Sequence, residues 1–245
     1  MRNWIGKRYW LVGASEGLGR ALAHKISAAG AEVIVSARSR ERLDSLVAEL
    51  PGKAHAVTVD ISDSASCAAA AEEVGPIDGV IFLAGLYWPV SALKWQAEEV
   101  EKMCDVNFTG AARIIGVTLP GMLAQGQGHI ALTGSLAGFR GLPGAIGYSA
   151  SKAGLMGLAE SMYADLRRSP VTVQILNPGF IKTRLTDKND FDMPFLMEAE
   201  EAAAEMFDHL GTDQFKKSFP WLFSLVFRLG QFLPDWLYYR LIARG

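Results

Sequence analysis

The chain has 245 residues, half of them hydrophobic, and a formal net charge of −2. That length suffices for one large core, and an α/β domain of this size need not be divided. The charge balance removes any bulk electrostatic case for a nucleic-acid partner.

Residues 9–13, YWLVG, form a short apolar run ending in glycine and predict a buried strand. LGRALAHKISAAG then places Leu18, Leu22 and Ile26 at helical spacing and stops at Gly30. AEVIVSAR predicts a second strand. SRERLDSLVAEL predicts a helix with Ser39 as N-cap and Leu43, Leu46, Val47 and Leu50 on one face. AHAVTVD is a third strand, SDSASCAAAAEEV a helix and DGVIFLAG a fourth strand. Residues 96–124 predict a long helical stretch, GHIALTGS a strand, 148–168 a helix and VTVQILNPG another strand. Strands alternating with helices imply βαβ units and a parallel sheet covered on both faces, that is, a doubly wound α/β fold. Cys67 and Cys104 fall in predicted helices. With no CxxC or His/Cys cluster, no metal site is expected and a reducing, cytoplasmic setting fits. The opening MRNWIGKRYWLVGAS lacks a long apolar run and a small-residue cleavage site, so no signal peptide is expected.

Between the first strand and first helix, VGASEGLGRAL carries Gly13, Gly17 and Gly19 in a GxxxGxG spacing. Such glycines permit a tight turn and let backbone N–H groups approach a pyrophosphate at a helix N-terminus. In GYSASKAGLMG, Tyr148 and Lys152 stand four apart, so a helix brings them to one side. A lysine beside a tyrosine favours the phenolate and lowers a pKa normally near about 10, which would make an acid/base group.

Together these features resemble the short-chain dehydrogenase/reductase family in its single-domain form, over roughly residues 7–185. The glycine motif stands as GASEGLG, the YxxxK motif as YSASK and the serine thirteen positions before the tyrosine as Ser135 in TGSLAG. The helix asparagine stands as Asn107 in DVNFTG, and the segment after the sixth strand as NPGFIKT. One motif departs: the family's usual N-A-G after strand four, whose asparagine is read as bracing the sheet, is Leu83-Ala84-Gly85 here.

The resemblance implies a Rossmann-type fold and hydride transfer between a nicotinamide and a carbonyl or alcohol carbon. Tyr148 would be the acid/base and Ser135 the hydrogen-bond donor to the reacting oxygen. Lys152 would tune the tyrosine and hold ribose hydroxyls, and Asn107 would hold water in a relay to Lys152. The cofactor would be cradled by Gly13, Ser15, Glu16, Gly17, Leu18 and Gly19, with Asp60 and Ile61 at the adenine and Ala84 and Gly85 beyond. Pro178, Gly179, Ile181 and Thr183 would hold the nicotinamide end with Tyr148 and Lys152. Where an acidic residue would repel a 2′-phosphate, the chain has Ala37 followed by Arg38, with Arg40 and Arg42 adding positive charge. NADP(H) is therefore expected over NAD(H). The resemblance also implies a homodimer or homotetramer pairing the helices around 96–124 and 148–168. A binding protein that senses NADP(H) without turnover is the reading from another class, and the intact Asn107, Ser135, Tyr148 and Lys152 set argues against it.

Beyond residues 1–220, the Rossmann-type domain closed by FKKSF as last strand, residues 221–245 are an apolar extension of the same domain. Leu222, Leu225, Val226, Leu229 and Leu233 recur at helical spacing, and Phe223, Phe227 and Phe232 widen the face. Pro234 breaks the segment before a second short helix. Arg228, Gln231, Asp235 and Arg240 interrupt it too often for a spanning helix. Two readings stay open. The tail lies in a membrane interface with Lys216, Lys217, Arg228, Arg240 and Arg244 towards anionic lipid, or it packs on its own domain or a second subunit and roofs the pocket. Either suits an apolar substrate, as do Leu86, Tyr87, Trp88, Phe139, Leu142, Phe180 and Phe191 in loops expected at the pocket rim.

Overall fold

A computed structural model describes residues 2–188 and 190–242. Seven strands form one parallel sheet: β1 (Arg8–Val12), β2 (Glu32–Ala37), β3 (Ala54–Thr58), β4 (Gly79–Phe82), β5 (Gly128–Thr133), β6 (Val171–Pro178) and β7 (Lys216–Phe219). Their order is β3-β2-β1-β4-β5-β6-β7, so the strand order reverses between β1 and β4. Val12 stands beside Ser36 on one side and Phe82 on the other, which aligns the carboxyl ends of the central strands. Ligands of doubly wound sheets bind at such a switch point, outside those carboxyl ends.

Alternate side chains of each strand enter opposite cores, which is why the strands read as unbroken apolar runs. Tyr9, Leu11, Val33, Val35 and Ile81 pack on α1 (Gly17–Ala28), α2 (Arg40–Glu49) and α7 (Ala199–Leu210) through Leu22, Ile26, Leu43, Leu46 and Met206. Trp10, Val12, Ile34, Val80 and Phe82 face the other way. They meet α3 (Ser64–Val74), α5 (Gly110–Ala124) and α6 (Ile146–Leu166) through Cys67, Ile114 and Leu155.

Local chemistry sets the boundaries. The Ser39 hydroxyl accepts from Arg42 N and caps α2 as expected, and Gly30 ends the α1 turn at φ +93°. The helical stretch expected at 96–124 is α4 (Ala97–Cys104) and α5 joined by a π-helical turn at Asp105–Thr109 that contains Asn107. α7 is not among the predicted elements. Its signal was the capping box, in which Glu198 and Glu201 satisfy each other's backbone N–H groups. The C-terminal extension forms α8 (Trp221–Gly230) and α9 (Asp235–Ile242), broken at Pro234 as expected. Among the described residues no helix is long and apolar enough to cross a membrane.

Candidate active site

The carboxyl edge of the sheet opens into a cleft of about 1060 Å³. It runs from the glycine loop, Arg38, Asp60 and Ile61 to Ala84, Gly85, Ser135, Tyr148 and Lys152, and is closed on the far side by Pro178, Gly179, Ile181 and Thr183. Ser15, Glu16 and Leu18 line it with Gly13, Gly17 and Gly19. The residues expected for catalysis and for the cofactor therefore border one cavity, Asn107 excepted.

The glycine loop is fixed by packing as well as conformation. Gly13 has φ +93°, and a Cβ there would stand 2.4 Å from Ala84 N. A Cβ on Gly19 would meet the Gly13 carbonyl oxygen at 2.3 Å. Glycine at these places lets β1, the β4 loop and the start of α1 touch. Leu83, in place of the family's asparagine, is half-buried and packs on the core facing α1.

Ser135 follows β5 by two residues and caps a short 3-10 turn: its Oγ accepts from Ala137 N at 3.1 Å, leaving the hydroxyl proton to donate elsewhere. Tyr148 sits one turn before Lys152 on α6, half-buried, with the Tyr87 ring edge-on at 5.2 Å. Burial pushes the Tyr148 phenol above its ordinary pKa, and the hydrogen bond from Ser135 offsets only part of this. The expected lowering by Lys152 is not found. The Lys152 ammonium lies 5.8 Å from the phenol ring centroid and is itself buried, which lowers its pKa from 10.5 to about 8. Its one hydrogen bond among the described residues is to the Thr133 carbonyl, at 2.8 Å.

Asn107 is fully buried outside the cleft lining. Its Oδ1 accepts from Leu86 N at 2.6 Å, and its Nδ2 donates to Leu86 O at 2.9 Å and to Ser151 Oγ at 3.0 Å. Both amide protons are thus engaged in tying the β4 loop to α6. The π-turn supplies the extra residue that turns Asn107 inward.

At the other end, Arg38 is exposed, lines the cleft and makes no hydrogen bond or ion pair among the described residues. Asp60 accepts from Ser62 N at 3.0 Å and Ser62 Oγ at 2.6 Å; these bonds first, and the Arg38 charge after them, lower its pKa. The other two arginines expected here behave differently. Arg40 is held by Asp44 at 2.8 Å outside the cleft, because the pair stands one helical turn apart. Arg42 lines the cleft but is paired with Glu16 at 2.9 Å, and Glu16 also binds Arg184 at 2.7 Å, spanning the mouth.

The apolar end is only partly as expected. Leu86, Tyr87, Phe180 and Phe191 line it. Trp88 lies instead under the Lys188 ammonium at 4.4 Å, Phe139 packs on the core facing α6, and Leu142 is half-buried away from the cleft. Phe223 and Phe227 of α8 complete the wall, the roofing role left open for the tail. Thr133 is a cleft residue the sequence reading passed over, although it directly precedes the glycine and Ser135 of TGS.

The family model described as short chain dehydrogenase matches residues 7–193. The chain belongs to this oxidoreductase family. Among the dehydrogenase's relatives, an uncharacterized oxidoreductase of Myxococcus xanthus is 38% identical over 237 residues, covering 93% of each chain. A 3-oxoacyl-[acyl-carrier-protein] reductase of Thermotoga maritima is 32% identical over 190 residues, 75% of this chain and 77% of that one. Among solved structures, a short chain dehydrogenase/reductase from Burkholderia phymatum in complex with NAD superposes at TM-score 0.85 over 94% of each chain, at 24% identity. That last likeness speaks for the dehydrogenase fold.

Proposed function

We propose that this short chain dehydrogenase is an NADP(H)-dependent oxidoreductase moving hydride between a nicotinamide and the carbonyl or secondary alcohol of an apolar substrate. The observation that carries the reading is the single cleft joining Ser135, Tyr148 and Lys152 to the glycine loop and Arg38.

The residues present fit a dinucleotide. The glycine loop opens directly onto the cleft at the start of α1, where backbone N–H groups suit a pyrophosphate. Two polar groups are buried there with unused capacity: Lys152, with its single bond to Thr133, and the Thr133 hydroxyl, which has no partner among the described residues. Gly13, Ser15, Glu16, Gly17, Leu18 and Gly19 would hold the phosphates, Asp60 and Ile61 the adenine, and Ala84, Gly85, Lys152, Pro178, Gly179, Ile181 and Thr183 the nicotinamide half. Unpaired Arg38 favours a 2′-phosphate, so NADP(H) is assigned over NAD(H). The bound dinucleotide supplies the hydride or accepts it.

The chain's own groups manage the oxygen and its proton. Ser135, whose Oγ accepts from Ala137 N, would turn the hydroxyl proton it shares with Tyr148 towards the substrate oxygen and stabilise charge that grows there. Tyr148 gives that oxygen its proton. A phenol raised by burial stays protonated at neutral pH and so holds the proton that the oxygen takes up in reduction. Lys152, buried 5.8 Å from the Tyr148 ring centroid, would hold the ribose hydroxyls of the dinucleotide. Asn107 holds the Leu86 backbone and α6 in register, and we assign any water relay to its remaining Oδ1 lone pair. Gly85 abuts both groups: a Cβ there would lie 3.6 Å from Asn107 Oδ1 and 3.8 Å from Lys152 Nζ.

Phe180, Phe191, Phe223 and Phe227 support an apolar substrate. We place the protein in the cytoplasm, as a homodimer or homotetramer paired through the helices around 96–124 (α4 and α5) and 148–168 (α6), with the extension at a membrane surface; the free Cys67 and Cys104 suit that compartment. Oxidation of NADPH by the full chain should occur with ketones and accelerate with chain length. Absence of oxidation with every ketone would overturn the assignment.

A further inference from the structure

Helix α8 is a wall with two apolar sides. Phe223 and Phe227 face the cleft, whereas Trp221, Leu222, Val226 and Leu229 are each more than half exposed. At about 100° per residue these four, with Leu225, fall in one arc of the helix, and Arg228 stands at its edge. Phe232 and Trp236, at the start of the turn and of α9, are exposed as strongly. The hairpin is fixed in place. Arg140 donates to the Gly230 and Leu233 carbonyls at 2.9 and 2.7 Å, pairs with Asp235 and lies 4.0 Å from the Tyr238 ring. The outward face is therefore a held surface rather than a frayed end.

Its charge is one-sided. Arg228 and Arg240 are exposed and make no ion pair among the described residues, while the one acidic residue of 221–242, Asp235, is taken by Arg140. Two cations expected from the sequence to join them do not: Lys216 is paired with Glu160, and Lys217 with Glu205 at 2.6 Å. Arg244 lies outside the described residues. A second copy pairing through α8 and α9 about a two-fold axis would set Arg228 and Arg240 against the same arginines, with no unpaired acid among residues 221–242 to answer them. An anionic lipid surface answers both the charge and the tryptophans. Beside α8, an apolar groove of about 420 Å³ runs past Phe195, Leu222, Leu225, Val226, Leu229 and Leu233 and shares Phe223 with the cleft.

We propose that the outer face of α8 and α9 docks on an anionic lipid bilayer, and that a lipophilic ketone or alcohol passes from the bilayer along this groove, past Phe223, into the cleft. The second half rests on the oxidoreductase reading; the docking does not. The test uses the full chain with vesicles of phosphatidylcholine alone and of phosphatidylcholine and phosphatidylserine in a three-to-one ratio. Wild type should sediment preferentially with the anionic vesicles, and less so as salt is raised. R228Q/R240Q should weaken that binding about thirtyfold. Trp221→Ser/Trp236→Ser should weaken binding to both vesicles. Both variants should keep wild-type oxidation of NADPH by a water-soluble ketone, but lose the vesicle-dependent rate with a long-chain one. Equal or absent sedimentation with both vesicles would overturn docking. A change of oligomeric state by light scattering in either variant, without vesicle binding by wild type, would mark a subunit interface and likewise overturn it. Absent turnover with intact anionic binding would strike the oxidoreductase reading and the substrate path, and leave docking standing.

Discussion

Replacing Lys152 by methionine should make the cofactor-free protein more stable at neutral pH while removing its turnover. Lys152 is 3% exposed, and burial lowers its pKa from 10.5 to about 8. That depression corresponds to about 3 kcal/mol of unfavourable charge burial at pH 7. Methionine fills a similar volume without charge and forfeits the hydrogen bond to Thr133, worth about 1 kcal/mol. The net gain is about 2 kcal/mol. Its sign depends on pH. A folded-state pKa below the unfolded value means that the unfolded chain binds more protons between pH 8 and 10.5, so wild-type stability rises through that window. The advantage of Lys152→Met should therefore shrink above pH 8, pass through zero and become a deficit of about 1 kcal/mol above pH 10.5. Tyrosine ionisations are common to both proteins and cancel in the difference. Urea unfolding at neutral pH and at the alkaline end measures it. A difference that stays constant with pH would refute the claim that Lys152 is a buried, strained cation.

Other outcomes follow from the same geometry. Arg38→Asp should lower the NADPH-to-NADH ratio of kcat/KM by roughly a hundredfold, through loss of one charge-assisted contact and gain of repulsion; an unchanged ratio removes the 2′-phosphate argument. Asn107→Ala breaks three hydrogen bonds and should lower the Tm by roughly 5–10 °C, about 2–3 kcal/mol, so an unaltered Tm would show that Asn107 braces nothing. Because burial raises the Tyr148 pKa, ketone reduction should stay level across neutral pH while alcohol oxidation climbs steadily towards alkaline pH; oxidation that is level over the same range would contradict the protonated phenol.

The sheet and the cleft were legible because they rest on local chemistry. Apolar runs such as EVIVSA can be satisfied only in a doubly covered strand, and Gly13 and Gly19 stand where a methyl group would strike backbone. What escaped depends on tertiary surroundings. The π-turn holds Asn107 where Leu86, twenty-one positions away, offers it both a donor and an acceptor. The rise of the Tyr148 pKa comes from burial, which spacing along a helix does not report. Lys216 and Lys217 looked free in sequence, yet Glu160 on α6 and Glu205 on α7 reach them once β7 joins the sheet. α7 was missed for a different reason: its capping box starts from Glu198, outside the Ser, Thr, Asp and Asn residues that mark a helix start in sequence.

The central claim is that Tyr148 delivers a proton while a bound dinucleotide delivers hydride. Tyr148→Phe tests it most directly, with NADPH affinity followed by nucleotide fluorescence and ketone-dependent NADPH oxidation followed in parallel. The account predicts affinity close to wild type and turnover lower by about a hundred- to ten-thousandfold. Turnover that survives at the wild-type rate would contradict it.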